Sequence, residues 1–195
     1  MNIAVYCSAK DSIPAEYKLL GDAVGQWLAE TGCNLVYGGA TGGLMSRVSD
    51  SFNDARCTMY DAPCTMGEKP KIIGVIPTKI RESGRMATNC DEMIEVLNMA
   101  ERKNTMREIA DCFIVLPGSY GTLDELFDVV SSGTVKEHKK RIYVLNYNGF
   151  YNGLREMIAH MKELAFLPQD ECYRPHFVSS LEELKEKINK KYSLT

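Results

Sequence analysis

Short apolar runs alternate with stretches of helical periodicity along the whole chain, and this alternation narrows the possible folds more than any other feature. Six runs have the length and composition of buried strands: residues 3–7, 33–37, 72–76, 93–97, 112–116 and 142–145. Helical patterns cover residues 14–30, 44–55, 99–109, 122–130 and 151–164, and a capping-box sequence at Ser180 begins a last helix. Residues 56–71 have the weakest periodicity and are predicted to form a surface loop.

Strands that alternate with helices predict an α/β fold, a doubly wound, Rossmann-like parallel sheet with helices on both faces. A length of 195 residues suits one core, so we expect a single α/β domain over residues 1–195. Right-handed crossovers place every strand-to-helix turn at the carboxyl edge of such a sheet, where ligands bind. The loops after Cys7, Tyr37 and Leu116 are therefore where we expect a site.

The composition argues against several classes of protein. A formal net charge of -3 gives no electrostatic reason to expect nucleic acid or an anionic membrane as a partner. No run reaches the roughly 18 apolar residues that cross a membrane, and the first residues do not resemble a signal peptide. The seven cysteines are scattered without a CxxC pair, which indicates a reduced, cytoplasmic protein. No cluster of metal ligands is visible, so we expect neither a metal nor a cofactor.

The most informative segment follows the predicted strand 112–116. Gly118 and Gly121 lie in a turn that leads directly into a helix, where free backbone N–H groups and the helix dipole attract phosphate. The turn matches neither GxGxxG nor the GxxxxGK[ST] P-loop, and no lysine follows it, which argues against ATP hydrolysis. Thr122 can add a hydroxyl donor. Thr122 to Glu125 is also a capping-box pattern, however, in which Glu125 would only accept a backbone N–H.

A second candidate group lies on the predicted helix 99–109. Met99, Arg102 and Met106 are spaced at i, i+3 and i+7 and share one face of that helix. The plain interpretation is an amphipathic helix whose charged side chains are solvated and form local pairs. The alternative is that Arg102 reaches the same sheet edge as the loop after Leu116, where its guanidinium would bind phosphate or ribose.

Two motifs together resemble the Lonely Guy (LOG) family of lysine-decarboxylase-like proteins. They are MxxRK at Met99 to Lys103 and a PGGxGTxxE-like segment at Pro117 to Glu125. The likeness extends from Ile3 to about Leu164, with weaker matches in the loops after the first and second predicted strands and at residues 74–77. Members of this family are thought to be nucleoside 5′-monophosphate phosphoribohydrolases that act on cytokinin riboside monophosphates and, in many bacteria, on AMP.

The resemblance implies that Arg102 and Glu125 are catalytic. It implies substrate-binding roles for Ser8, Glu82, Met99, Lys103, Gly118, Ser119, Tyr120, Gly121 and Thr122. The segment from Gly118 to Thr122 would hold a 5′-phosphate, and a homodimer with the site near its interface is expected. Three features depart from the family pattern: Ser119 replaces the second glycine of the PGG motif, Arg47 replaces a small residue, and residues 56–71 form a longer segment.

The implied reaction breaks the bond between C1′ and N9 of a purine nucleotide through an oxocarbenium-like sugar. Such a reaction needs a carboxylate that stabilises the cation and orients or deprotonates water, and Glu125 is the candidate. No general acid is evident. We interpret His138, His160 and His176 as solvated surface residues, and the same holds for Asp124 and Asp128, which share a predicted helix with Glu125.

Two other functions compete with hydrolysis. A nucleotide or cofactor carrier of the same fold would use the phosphate loop without turnover, but would not need Arg102 and Glu125 together. A lysine decarboxylase that uses pyridoxal phosphate is disfavoured because no lysine is marked out for a Schiff base. The sequence does not distinguish AMP from an isoprenylated nucleotide as the substrate.

Overall fold

The computed structural model describes residues 1–60, 68–167 and 173–194. Seven parallel strands of these residues form one sheet: β1 (Asn2–Tyr6), β2 (Asn34–Tyr37), β3 (Ile72–Pro77), β4 (Glu92–Val96), β5 (Cys112–Val115), β6 (Arg141–Leu145) and β7 (His176–Val178). The helices are α1 (Ala15–Glu30), α2 (Gly43–Tyr60), α3 (Thr78–Glu82), α4 (Met99–Ile109), α5 (Tyr120–Thr134), α6 (Asn152–Glu163) and α7 (Leu181–Tyr192), and a 3-10 turn spans Tyr147–Gly149.

The strand order is β4-β3-β2-β1-β5-β6-β7, which confirms the doubly wound, parallel sheet. The chain builds outward in one direction from β1 to β4 and then continues from β5 to β7 on the other side. The order therefore reverses between β1 and β5, which pair in parallel from Ile3 with Cys112 to Tyr6 with Val115. Ligands of this type of fold bind at such a switch point, outside the carboxyl ends of the strands.

Helices cover both faces of the sheet, as predicted. Alternate residues of β1 point to opposite sides, so Ile3 and Val5 join one apolar core while Ala4 and Tyr6 join the other. The first core is completed by α1, α2 and α7, and the second by α4, α5 and α6. Because β1, β2, β3, β5 and β6 are buried along most of their length, these strands are continuous apolar runs rather than alternating ones.

The loops after β1 and β2 are drawn together by a close crossing of α1 over α2. A Cβ on Gly25 would lie 2.3 Å from the Val48 carbonyl oxygen, so only glycine permits this approach. The Ser8 carbonyl accepts a hydrogen bond from the Leu44 N–H at 2.9 Å, and the Gly43 N–H donates to Asp11 Oδ1 at 2.8 Å. These contacts bring two of the three predicted site loops side by side at the carboxyl edge.

The six predicted strands are all present, each bounded within one residue of its prediction. The three-residue strand β7 and the five-residue helix α3 were not predicted, because neither is long enough to show a period. The loop predicted at residues 56–71 is partly wrong, since α2 continues to Tyr60. Arg56 is buried there, donates to the Pro70 carbonyl at 2.9 Å and pairs with Asp91. Residues 61–67 of that predicted loop lie outside the described part of the chain.

Candidate active site

The turn between β5 and α5 presents free backbone donors at the switch point. Helix α5 begins at Tyr120, two residues before the predicted start, and its N-cap residue Ser119 makes no side-chain capping bond. A Cβ on Gly118 would lie 2.1 Å from Thr122 Oγ1, whereas one on Gly121 would meet nothing within 4 Å. The close packing of Thr122 therefore requires Gly118, while Gly121 leaves open space in front of the first helical turn. This arrangement attracts anions.

Glu125 lies one turn further along α5 and forms a buried ion pair with Arg102 of α4. The carboxylate Oε1 and guanidinium Nη1 are 2.8 Å apart, and the two side chains are 5% and 9% exposed. Arg102 Nε also donates to the Val75 carbonyl of β3 at 3.2 Å. Both plain interpretations from the sequence are therefore wrong: Glu125 does not cap its helix, and Arg102 is not a solvated residue.

Gly38, the residue after β2, makes room for the Arg102 guanidinium. A Cβ at this position would lie 2.0 Å from Arg102 Nη2 and 2.3 Å from Met45 Cε. No role was predicted for Gly38, because its partner Arg102 lies far along the chain. The feature of the sequence that could have identified Gly38 is its position directly after a central strand.

The surroundings of the Glu125–Arg102 pair are poorly solvated. Burial raises the pKa of Glu125 to about 7, and the Arg102 charge only partly opposes this shift. Burial also raises the pKa of Tyr6 and Cys7, at the end of β1, and the Glu125 charge raises each of them further. A carboxyl group with a pKa near neutrality exchanges protons readily at physiological pH, as an acid–base catalyst must.

A network of ion pairs connects α4 to α5 beside the candidate site. Lys103 Nζ lies 2.8 Å from Asp124 and 3.5 Å from Asp128, and Arg107 pairs with Asp128 as well. The hydrogen bond that Lys103 donates to Asp124 is the main cause of the raised pKa of Lys103. Asp124 and Asp128 are therefore not simply solvated, and they fix the two helices that carry Arg102 and Glu125.

A cleft of about 560 Å³ opens at the carboxyl edge, and we call it the carboxyl-edge cleft. Its lining comes from the loops after β1, β2, α3 and β5 and from the first turn of α2: Ala9, Lys10, Asp11, Thr41, Gly42, Ser46, Arg85 and Ser119. All three loops predicted to form a site contribute to it. Lys10 and Arg85 are cations that the sequence analysis missed, and Arg85 is held by a 2.8 Å bond from Nη2 to the Thr41 carbonyl.

The other residues predicted to bind the substrate differ in how they are placed relative to the candidate site. Ser8 is buried and links two of the site loops, because its N–H donates to the Pro117 carbonyl at 3.2 Å. Met99 and Tyr120 are the first residues of α4 and α5, and both are exposed at the carboxyl edge. Glu82 ends α3 as an exposed residue and makes no hydrogen bond or ion pair with any described residue.

Two of the three histidines are not the solvated residues that were predicted. His138 packs between Phe113 and Tyr173, and its Nε2 lies 3.0 Å from the Val129 carbonyl. His176 is half-buried beside Arg141, and His160 alone is largely exposed.

Within residues 1–60, 68–167 and 173–194, no group of three or more acidic, histidine or cysteine side chains could hold a metal ion. No helix in that part of the chain is long and apolar enough to cross a membrane.

The fold and the site define a class: a Rossmann-like α/β protein with an uncapped helix start and a buried glutamate–arginine pair at the switch point of its sheet. The model of a family described as "Possible lysine decarboxylase" matches residues 58–188. The rice protein named cytokinin riboside 5′-monophosphate phosphoribohydrolase LOG (Oryza sativa subsp. japonica) is 34% identical, over 86% of this chain and 64% of its own length. A protein of the same enzyme name from Mycobacterium marinum is 33% identical over 93% of this chain and 89% of its own.

This chain belongs to that family, the LOG or lysine-decarboxylase-like family, as its two motifs indicated. It spans a little under two thirds of the length of the rice relative. Among solved structures, the molybdenum cofactor binding protein of Rippkaea orientalis has the same fold, with a TM-score of 0.68 and 20% identity over 97% of this chain and 96% of that one.

Proposed function

We propose that this chain hydrolyses the N-glycosidic bond of a purine ribonucleoside 5′-monophosphate to the free base and ribose 5-phosphate. The observation that carries the proposal is the buried pair of Glu125 and Arg102 beside the uncapped start of α5. A phosphate site alone would serve a binding protein, but a buried carboxylate next to it supports chemistry on the attached sugar. The names of the relatives from rice and Mycobacterium marinum support the same reaction.

The first turn of α5 is the proposed seat of the 5′-phosphate. Backbone N–H groups from Gly118 to Thr122 would donate to its oxygens, and the helix dipole would add to their attraction. The absence of any atom within 4 Å of a Cβ on Gly121 supports close approach of a ligand there. Ser119 lies at the rim of the carboxyl-edge cleft, where its hydroxyl would add a donor rather than obstruct the loop.

Glu125 is the proposed catalytic carboxylate. As the bond from C1′ to N9 breaks, its electron pair goes to the base and positive charge develops on the sugar. An ionised Glu125 would stabilise that charge and accept a proton from the attacking water, whose oxygen bonds to C1′. The departing base would take up a proton from solvent to become the free base, and Glu125 would return its own proton to solvent. Arg102 would hold the carboxylate in position and contact the nucleotide, and a fixed phosphate would position C1′.

The base would lie over exposed apolar side chains of the neighbouring loops. Leu97, Met99 and Tyr120 are exposed at the carboxyl ends of β4 and β5. Such side chains suit the flat, weakly polar face of a purine. AMP and its isoprenylated relatives both meet this description, so both are proposed substrates.

The second candidate is a carrier that binds a nucleotide or cofactor without turning it over. It is favoured by the fold shared with the molybdenum cofactor binding protein. Decarboxylation of lysine, which the family description suggests, finds no support in the described residues. Burial lowers the pKa of Lys140, as a Schiff-base lysine requires, but Lys140 precedes β6 at the opposite edge of the sheet and donates to the carbonyls of Arg107 and Glu108.

The test is to incubate the native chain with AMP, N6-isopentenyl-AMP and adenosine, and to separate base and ribose 5-phosphate by chromatography. We expect base release from at least one nucleotide and far less from adenosine, which lacks the phosphate that positions C1′. Binding of both nucleotides without release of base would reject the hydrolase and favour the carrier.

A further inference from the structure

A second cleft lies at the opposite edge of the sheet from the candidate active site. It has a volume of about 410 Å³ and is lined by Arg141, Tyr143, His176, Lys187, Lys190 and Lys191. Arg141 and His176 are the first residues of β6 and β7, so this cationic cleft opens at the amino edge of the sheet. The hydrolysis proposed above makes no use of it.

Positive charge collects in the cationic cleft, although the chain as a whole carries a net charge of -3. Lys187 pairs with Glu183 of the same helix at 3.2 Å. Lys190 and Lys191 form no ion pair with any described residue. Three lysines on one face of α7 therefore line a cleft that also contains Arg141, and no carboxylate is among its lining residues.

The pKa of His176 is also affected by the positive charge in this cleft. Burial lowers the pKa of its ring, and the charges that lower it further are those of Arg141, Arg174 and Lys187. Arg141 Nη1 lies 2.7 Å from His176 Nε2, so the neutral ring accepts this hydrogen bond. The contact orients the guanidinium and leaves its other N–H groups available for a ligand.

Tyr143 adds a tyrosine side chain to the lining of the cationic cleft. The side chain lines the cleft and packs beside the ring of His176, with ring centroids 5.6 Å apart. The residue is only 3% exposed, and its hydroxyl has no hydrogen-bond partner among the described residues. A hydroxyl that lines the cleft without a partner among the described residues can donate to a ligand that offers an acceptor.

We propose that the cationic cleft binds a small organic phosphate, with Arg141, Lys190 and Lys191 as cations and Tyr143 as a hydroxyl donor. Arginine holds phosphate oxygens through paired N–H bonds, and lysine ammonium groups add charge. A concave space of this volume suits a small molecule. The net negative charge of the chain disfavours the long phosphate backbone of a nucleic acid.

The experiment titrates inorganic pyrophosphate into the ¹⁵N-labelled native chain and follows backbone amides by NMR. We expect shifts at residues 141–143, 176 and 187–191 that fit one dissociation constant. Amides of residues 118–122 report separately on binding at the candidate active site, so failure of one site is distinguishable from failure of the other. Arg141→Gln and Lys190→Gln should each weaken binding at the cationic cleft about tenfold.

Two further variants control this experiment. Lys185→Gln removes the same charge from the same helix but does not line the cleft, and it should change the dissociation constant by less than about twofold. Tyr143→Phe removes only the hydroxyl, and it should weaken binding several-fold without lowering the melting temperature. The proposal is overturned if the cleft amides do not shift, if Arg141→Gln binds as well as the native chain, or if a single-stranded oligonucleotide displaces pyrophosphate from these residues.

Discussion

Glu125 is the residue in which burial and proposed chemistry are most directly linked. Its carboxyl group is almost completely removed from water, yet it has a guanidinium partner at 2.8 Å. Burial disfavours the charged form and Arg102 favours it, and the balance raises the pKa to about 7. Glu125 thus has a pKa suited to a carboxylate that takes a proton from water near neutral pH.

The pH dependence follows from this shift. The ionised form of Glu125 is the active one, so we expect kcat/KM for the nucleotide to rise with pH, with a midpoint near 7. Stability should change in the opposite direction. Between the ordinary pKa of 4.5 and the folded value of about 7, the folded chain holds a proton that the unfolded chain has released, so stability falls as pH rises.

Thermal melting of the native chain and of Glu125→Gln from pH 5 to pH 8 measures the change of stability with pH. The difference in melting temperature between the two should change across this range and become constant above it. A constant difference throughout would contradict the assigned pKa.

Gly121 provides a test of the phosphate seat that leaves the fold intact. Gly121→Ala adds a Cβ with no protein atom within 4 Å, so stability should be unchanged or improved by up to about 1 kcal/mol. The same methyl group would obstruct a phosphate on the first turn of α5, and KM for the nucleotide should rise at least about tenfold. Steady-state kinetics and thermal melting measure the two effects.

The matched control is Gly153→Ala. Gly153 lies in the first turn of α6 and also has open space around its position. It should gain the same stability and keep the native KM. An unchanged KM in Gly121→Ala would place the phosphate elsewhere.

At the scale of elements, the candidate active site depends on a contact between the end of a strand and a side chain of a helix that is distant in sequence. Gly38 follows β2 and receives the Arg102 guanidinium from α4. Gly38→Ala would place a methyl group 2.0 Å from Nη2 and force the guanidinium away from Glu125. We expect kcat to fall at least about 100-fold, since the proposed catalytic pair would be separated.

Binding of AMP by calorimetry separates this effect from unfolding. Gly38→Ala should still bind the nucleotide through the α5 start, while its turnover is largely lost. Turnover close to that of the native chain would show that Arg102 does not need its present position.

The elements themselves were largely predictable. Strands buried on both faces are continuous apolar runs, which explains why β1, β2, β3, β5 and β6 were found within one residue. The glycine-containing turn before α5 and the motif with Arg102 were also visible in the sequence. The sequence did not show that Gly38 contacts Arg102, or that Lys10 and Arg85 line the same cleft. These contacts join positions that are far apart in sequence.

At the scale of the whole molecule, an apolar groove between α5 and α6 supports the expected homodimer. The groove has a volume of about 400 Å³, and Leu126, Phe127, Ile158 and Met161 are among its lining residues. No residue of α6 is fully buried within one chain, although Leu154 packs against the second core and the helix has a clear apolar side. Exposed apolar surface of this kind is typical of a subunit interface.

Light scattering after size-exclusion chromatography tests the dimer. We expect the native chain at about twice its mass of 21.9 kDa and Phe127→Asp at the mass of one chain, because the added charge would be buried unpaired. Leu19→Asp places the same charge on α1, on the other face of the sheet, and should leave the dimer intact. A native chain of monomeric mass would contradict this expectation.

The most direct test of the central claim is a single-turnover experiment with the chain in excess over radiolabelled AMP or N6-isopentenyl-AMP. Native chain and Glu137→Gln, which makes the same chemical change at an exposed position, should release base at equal rates. Glu125→Gln should bind the nucleotide but release base at least about 1,000-fold more slowly. Release by Glu125→Gln at the native rate would show that the buried glutamate–arginine pair is not the catalytic centre.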